Sequence, residues 1–362
     1  MYEMMTPGPT QVRENVMAAR SREFQNPDLD VHFVEYYKET CELLSSLLHT
    51  KNESLILNGE GILGLEAACA SLTEPGDRVL VLDNGIYGAG FQDFVRIYGG
   101  VPVLYTKEYD RPLSCEDLEN FLKKDHNFKY ATLVHCDTPS GMLNDIASLC
   151  PLLKSWGILT VVDSVSAMFG EEVRADDWKI DILCGGSQKA ISAPPGLSLV
   201  TLSHDAKAAI ENRKTPIASF YASLLAFKGY YEAKWFPYTM PASDIYGLRT
   251  ALENIREDPD ILKRHRAVAQ MVRKELRNMG LTLYPKEGYS NTVTVFEVPE
   301  GITAQEILNN MLQKHNILLA GSFGCFADRF IRIGHMGENA YKEKAARVLS
   351  ALRDVLKDII KP

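Results

Sequence analysis

A lysine and an aspartate lie 26 residues apart in this chain, each next to a short apolar run. Asp163 closes the apolar run over residues 158–162, and Lys189 follows the pair Gly185 and Gly186. A lysine amine can form a Schiff base with an aldehyde, and a buried carboxylate can keep a pyridine nitrogen protonated. Pyridoxal 5′-phosphate (PLP) needs both groups to act as an electron sink, so the pair predicts a PLP enzyme.

A glycine-rich motif over residues 59–64 follows one apolar run and opens a helical pattern. Backbone N–H groups at such a helix start bind phosphate well. The motif also has the form G-x-G-x-x-G, and Asp83 follows at a strand end, which is typical of a dinucleotide site. That alternative predicts an NAD-dependent dehydrogenase, but it gives the lysine and the aspartate no role. A glycine-rich turn without any ligand stays open as a third interpretation.

Composition places the chain among ordinary globular proteins and excludes several classes of partner. The chain has 362 residues, a net charge of −8 and no block of like charges that would favour nucleic acid. No apolar run approaches the 18 or more residues of a membrane span. The start shows no secretory signal, and the seven scattered cysteines have no metal or disulfide spacing. We expect a cytoplasmic protein with reduced thiols and no metal.

Two regions with different element patterns divide the chain. Up to about residue 202, short β-rich runs alternate with helical patterns, which indicates a mostly parallel α/β sheet that binds ligands at the carboxyl ends of its strands. After about residue 240 the pattern is a long amphipathic helix, a strand, a Thr303–Glu306 capping box, a second strand and a final helix. We predict a large domain with an N-terminal arm over residues 1–250 and a small α+β domain over residues 251–362.

Several segments, in order along nearly the whole chain, resemble class V PLP-dependent aminotransferases, especially the alanine–glyoxylate and serine–pyruvate branch. The most specific of them is Ser-Gln-Lys-Ala followed by Ala-Pro-Pro-Gly, over residues 187–196. The others are Thr-Pro-Gly-Pro at 6–9, Gly-Glu-Gly at 59–61, Asp-Asn-Gly-Ile-Tyr-Gly at 83–88, His-Cys-Asp-Thr-Pro-Ser-Gly at 135–141, Val-Asp-Ser-Val-Ser at 162–166 and Phe-Ile-Arg-Ile-Gly at 330–334. The resemblance implies the fold type I of PLP-dependent transferases.

The resemblance also implies a role for individual residues. Lys189 would be the Schiff-base lysine and general base, and Asp163 would pair with the ring nitrogen. Arg332 would hold the substrate carboxylate as a two-pronged fork. The remaining cofactor contacts would come from Gly61, Ile62, Tyr87, Thr138, Val165 and Gln188, and from Thr239 of a neighbouring subunit, so a homodimer is implied. The loops that set substrate selectivity would be residues 7–9, including Gly8, and residues 22–26.

The chain departs from the family pattern at two positions near the expected phosphate. Glu60 stands where many relatives carry Ser or Thr, and Phe236 stands where relatives have a Tyr hydroxyl. Fewer side-chain hydrogen bonds to a phosphate are therefore expected. Cys325 could indicate a cysteine desulfurase, but Gln188 occupies the position before the lysine where those enzymes usually have His.

We therefore expect an aminotransferase that moves the amino group of alanine or serine to glyoxylate or pyruvate. Transamination between 2-aminoethylphosphonate and pyruvate is the alternative within the class, because its enzymes share most of these motifs. The alternatives from other classes are the dehydrogenase and a protein that uses the fold for binding only. The intact Lys189 argues against the binding-only alternative.

Overall fold

The computed structural model describes residues 2–23 and 26–359. Its helices are α1 (Glu14–Arg20), α2 (Val31–Leu47), α3 (Gly61–Leu72), α4 (Ile86–Ile97), α5 (Cys115–Leu122), α6 (Ile146–Ser155), α7 (His204–Glu211), α8 (Tyr230–Ala233), α9 (Ala242–Arg256), α10 (Ile261–Asn278), α11 (Ala304–His315) and α12 (Lys342–Ile359). Its strands are β1 (Glu3–Met4), β2 (Glu53–Asn58), β3 (Arg78–Asp83), β4 (Val101–Thr106), β5 (Tyr130–Val134), β6 (Cys136–Asp137), β7 (Met142–Leu143), β8 (Leu159–Asp163), β9 (Ile182–Gly186), β10 (Leu197–Leu202), β11 (Val293–Glu297), β12 (Ile317–Leu318), β13 (Ala320–Gly321) and β14 (Phe330–Gly334).

The main sheet orders its seven strands β2-β10-β9-β8-β5-β3-β4 in the described part of the chain. Every pairing within it is parallel except those that β10 makes with β2 and β9. β5 and β10 are buried along their whole length, as expected for strands covered by helices on both faces. The prediction of a mostly parallel α/β sheet is confirmed.

The carboxyl ends of β8 and β9 lie side by side at one edge of this sheet. The two strands are parallel, with Asp163 opposite Cys184. Lys189 therefore follows the end of β9 at the same edge where Asp163 ends β8. β9 extends to Gly186, so both glycines belong to the strand and let neighbouring groups approach its backbone.

A second core lies under a smaller sheet of β11, β14 and β13. It is built mainly from the apolar faces of α10, α11 and α12. The N-terminal arm joins this core, since β1 pairs with β12 and Met5 is fully buried in it. The predicted boundary at residue 250 falls within α9, and the division into two domains stays a prediction.

Five helices, α1, α2, α7, α8 and α9, were not predicted. The sequence predicts a helix from about Phe91, whereas α4 begins at Ile86. In α2, Phe33, Tyr37, Cys41 and Leu44 are buried at a spacing of three to four residues, so the helical period was present in the sequence. No helix among the described residues has a stretch long and apolar enough to cross a membrane.

Glu171 ties the large sheet to the small one. This buried carboxylate accepts hydrogen bonds from the backbone N–H of Asn291, from Asn291 Nδ2 at 2.9 Å and from Ser290 Oγ at 3.2 Å. Ser290 and Asn291 directly precede β11, so the contact fixes the small sheet against the loop that follows β8.

We predict that Glu171→Ala lowers the free energy of unfolding by at least about 1–3 kcal/mol, because it leaves buried donors without an acceptor. Glu172→Ala is the matched control, since Glu172 is the exposed neighbour and its loss should cost no more than about 0.5 kcal/mol. Denaturant unfolding of the two variants measures the difference. Equal losses would contradict the role of Glu171.

Candidate active site

Lys189 and Asp163 interact at the edge of the main sheet, in a region called the pocket that also includes Gly61, Val165 and Arg332. Lys189 Nζ donates a hydrogen bond to the carbonyl of Pro7 at 2.7 Å. Burial and the charge of Arg332 lower the pKa of Lys189, while Asp163 raises it. A lysine amine with a lowered pKa is more readily neutral, which is the form that attacks an aldehyde or accepts a proton.

Asp163 is a buried carboxylate that favours a cation beside it. It is 5% exposed, and its Oδ1 accepts a hydrogen bond from the backbone N–H of Val165 at 2.9 Å. Burial raises the pKa of Asp163 to about 7, although the hydrogen bond from Val165 and the charge of Lys189 both lower it. A protonated pyridine nitrogen would supply the missing positive charge, so this end of the pocket fits the ring of PLP.

Glycines line the pocket at positions where a side chain would collide with its neighbours. A Cβ on Gly61 would lie 3.0 Å from both methyl groups of Val165, and a Cβ on Gly186 would lie 3.1 Å from one of them. Gly8 has a φ of +103°, and a Cβ there would lie 2.7 Å from Lys189 Nζ. The N-terminal arm therefore passes directly over the lysine, and the structure brings Gly8, Gly61, Val165 and Lys189 together.

Tyr87 lies in the first turn of α4, between the acidic and basic groups of the site. Burial and the charge of Asp163 raise its pKa, and Arg332 lowers it. Its backbone N–H donates to Asp137 Oδ1 at 3.1 Å, and Asp137 also accepts from Ser140 Oγ at 2.7 Å. Asp137 thus holds the start of α4 against the turn that contains the buried Thr138.

Arg332 projects from β14 of the small sheet. Its Nε donates to the carbonyl of Gly321 at 2.8 Å, and its guanidinium lies 5.4 Å from the ring centre of Phe323. Within the described residues it forms no ion pair, and its two terminal nitrogens have no hydrogen-bond partner. The fork of the guanidinium is therefore free for a carboxylate.

The expected phosphate end is different, because a side chain of the protein fills it. Glu60 Oε1 accepts from the backbone N–H of Ile62 at 2.9 Å, and Glu60 Oε2 accepts from Gln188 Nε2 at 2.9 Å. Ile62 and Gln188 are two of the predicted phosphate ligands, and both donors are engaged by this carboxylate. The ring end of the pocket fits PLP, and the phosphate end does not fit it as it stands.

Three further parts of the sequence analysis lie away from this pocket or partly outside the described residues. Thr239 donates to Asp28 Oδ2 at 2.7 Å, and among the described residues it makes no hydrogen bond to the pocket of its own chain. Phe236 packs in the large core against Tyr37. In the predicted selectivity loop over residues 22–26, Phe24 and Gln25 lie outside the described part of the chain.

The residues on which the dehydrogenase, metal-site and desulfurase interpretations depend have other surroundings in the structure. Asp83 accepts from Tyr109 at 2.7 Å and from Thr106 at 2.9 Å, so each of its oxygens already has a hydrogen-bond partner within the protein. His135 is buried and bonded to Ser164 Oγ at 3.1 Å, and burial lowers its pKa to about 4. Cys325 is an exposed free thiol. Within the described residues, no group of three or more His, Cys, Asp and Glu side chains could hold a metal ion.

Sequence reasoning missed two contributors. The carbonyl of Pro7 holds Lys189 Nζ, and a backbone acceptor leaves no mark in the residue types. Asp137 lies in a motif that was singled out, but its orienting role over α4 depends on a contact across 50 residues. Glu60 was noticed as a departure, yet its contact with Gln188 could not be read from the spacing.

Comparison with known proteins identifies the family. Residues 4–328 match the family described as aminotransferase class-V. Alanine–glyoxylate aminotransferase of Rattus norvegicus is 30% identical over 98% of this chain and 87% of its own length. Pyridoxamine–pyruvate transaminase of Mesorhizobium japonicum is also 30% identical, over 96% of this chain and 90% of its own length. The crystal structure of ureidoglycine–glyoxylate aminotransferase from Bacillus subtilis superposes with a TM-score of 0.95 at 30% identity, covering 98% of this chain and 93% of that one.

The chain therefore belongs to the class V aminotransferases, which are PLP-dependent transaminases. The resemblance to the alanine–glyoxylate branch and the fold type I architecture are confirmed.

We predict that Asp163 makes the cofactor-free protein less stable as the pH rises. Its pKa of about 7 in the folded protein lies above the ordinary value of about 4, so the folded state binds this proton more tightly. The stabilisation is full below about pH 4 and is lost towards pH 7, at roughly 1.4 kcal/mol per pH unit. Unfolding of wild type and of Asp163→Asn from pH 4 to pH 8 measures it. A difference between the two proteins that stays constant with pH would contradict this assignment.

Proposed function

We propose that this protein is a transaminase that moves the amino group of a small amino acid, alanine or serine, to glyoxylate or pyruvate. The observation that carries the proposal is the pocket in which Asp163, Lys189 and Arg332 converge. It combines a group for the ring nitrogen, an amine for the aldehyde and a fork for a carboxylate. The names of the three relatives support the acceptor, since each pairs an amino donor with glyoxylate or pyruvate.

The amino donor is the less constrained half of the proposal. The names of the relatives give alanine, pyridoxamine and ureidoglycine as donors, so the donor varies among proteins about 30% identical to this chain. Arg332 favours a donor with an α-carboxylate, as alanine and serine have. The same fork would bind the acceptor, because glyoxylate and pyruvate also carry a carboxylate.

Asp163, Lys189 and Arg332 each have a separate role in the proposed mechanism. The bound ring supplies the electron sink that lets the Cα–H bond of the substrate break. Asp163 holds a proton at the ring nitrogen, and Arg332 orients the substrate through its carboxylate. Lys189 Nζ would take the proton from the substrate Cα, a role that the lowered pKa of its amine favours. Over both half-reactions the amino group passes from donor to acceptor, and the donor leaves as a 2-oxo acid.

We further propose a cytoplasmic homodimer in which Thr239 reaches the site of the neighbouring subunit. The exposure of Ile62, beside the pocket, and of Trp235 and Phe220 supports a partner surface near these segments. The seven cysteines are all free thiols, which supports a reducing compartment.

We predict that the ring attaches to Lys189. Borohydride reduction of the protein incubated with PLP or pyridoxal, followed by peptide mapping, should place the pyridoxyl group on this residue, whose amine has the lowered pKa. Lys189→Arg should abolish the label, since a guanidinium does not form the same link. A label on another lysine, or tight NAD(H) binding without any pyridoxyl label, would contradict the proposed function.

We predict that Arg332→Lys weakens binding of amino and 2-oxo acids by about 1.5–3 kcal/mol, the contribution of a hydrogen bond to a charged group. An ammonium cannot reproduce the planar fork. Half-reaction rates for an amino acid and for the matching amine without a carboxylate measure the effect, and only the former should fall. Arg329→Lys is the matched control, because Arg329 is exposed three residues earlier. If Arg332→Lys slows the reaction of the amino acid and of the amine without a carboxylate equally, Arg332 has a structural role and does not bind the carboxylate.

A further inference from the structure

Several backbone amides at the N-terminal end of α3 already donate hydrogen bonds to other groups of the chain. Glu60 Oε1 takes the N–H of Ile62 at 2.9 Å. The next two amides are also used, since Leu63 N donates to the carbonyl of Glu60 at 2.8 Å and Gly64 N donates to Ser198 Oγ at 3.0 Å. Three of the amides that make a helix start attractive to a phosphate, those of Ile62, Leu63 and Gly64, are therefore engaged before any ligand arrives.

Glu60 also brings an uncompensated negative charge to this place. Glu60 is solvent-exposed, and it forms no ion pair with any of the described residues. Its charge reaches the pocket, where it adds to the effect of burial in raising the pKa of Asp163 and opposes the burial that lowers the pKa of Lys189. A phosphate ester carries about −1.5 to −2 charges at neutral pH, so it would meet a like charge at the helix end.

Gln188 shows which kind of group this end can accept. Its Nε2 donates to Glu60 Oε2, while its Oε1 is buried and has no hydrogen-bond partner in the described structure. Gln188 itself is 6% exposed, and its Oε1 lies 2.9 Å from the position of a Cβ on Gly186, at the floor of the pocket. Flipping the amide would turn its oxygen toward the carboxylate, so Glu60 fixes this orientation. Gln188 Oε1 and the Glu60 carboxylate are both hydrogen-bond acceptors, so a ligand group that binds them must be a hydrogen-bond donor.

We propose that Glu60 makes this site select a pyridoxal-type ring whose side arm is a neutral hydroxymethyl group, that is pyridoxal or pyridoxamine, over the 5′-phosphate ester. The inference rests on the proposed function, because the ring must reach Lys189. A hydroxyl O–H can donate to Glu60 or to Gln188 Oε1, and it adds no charge. A phosphate dianion has no proton to donate and must displace the carboxylate from both Ile62 and Gln188.

The test compares the binding of pyridoxal and PLP to the cofactor-free protein by absorbance titration, in the wild type, Glu60→Gln, Glu60→Ser and Glu116→Gln. Glu116 is the matched control, because it is an exposed glutamate in the first turn of α5. We expect the wild type to bind pyridoxal at least ten-fold more tightly than PLP. Both Glu60 variants should bind PLP at least ten-fold more tightly than the wild type does, and Glu116→Gln should match the wild type.

Mapping of the borohydride-reduced site separates this inference from the proposed function. Wild-type protein that binds PLP as tightly as pyridoxal, with the label on Lys189 and no gain in either Glu60 variant, would overturn the selection by Glu60 and leave the transaminase standing. No label on Lys189 from either compound would overturn both. A gain in PLP affinity in Glu116→Gln equal to that in Glu60→Gln would also overturn the selection, because it would trace the effect to net charge.

Discussion

The burial of one carboxylate, Asp163, at the carboxyl end of β8 is the constraint on which this site depends. Removed from water, it favours a proton or a cation, and its pKa near 7 measures how strongly. Lys189 acts on Asp163 through its charge, yet it forms no ion pair with it. The pocket therefore favours a positive charge next to Asp163. A protonated ring nitrogen would provide that charge and leave Lys189 free to react.

The main sheet, the small sheet and the N-terminal arm all contribute residues to the site around Asp163. The main sheet provides Asp163 and Lys189 from the ends of adjacent strands, while the small sheet provides Arg332. The N-terminal arm passes between them, pairs β1 with β12 and presents the carbonyl of Pro7 to Lys189 Nζ. Because Glu171 fixes the small sheet to the loop after β8, the distance from Arg332 to the lysine is set by the fold rather than by the loops alone.

Sequence alone was enough for the strand ends, because apolar runs, glycines and a charged residue after each run are local signals. It placed Asp163 and Lys189 at one edge of a parallel sheet, and the structure agrees. It missed α1, α2, α7, α8 and α9, although the helical period of α2 was present in the sequence. Contacts such as Pro7 with Lys189, or Glu60 with Gln188, join positions more than 100 residues apart. Their formation depends on topology and side-chain direction, which residue spacing does not encode.

The central claim is that Asp163 keeps the nitrogen of a bound pyridoxal ring protonated. The most direct measurement is the ¹⁵N resonance of ring-labelled pyridoxal or PLP bound to the wild type and to Asp163→Asn. The account predicts a protonated nitrogen in the wild type across neutral pH and an unprotonated nitrogen in the variant, with the ring attached to Lys189 in both. An unprotonated nitrogen in the wild type, or the same resonance in both proteins, would contradict it.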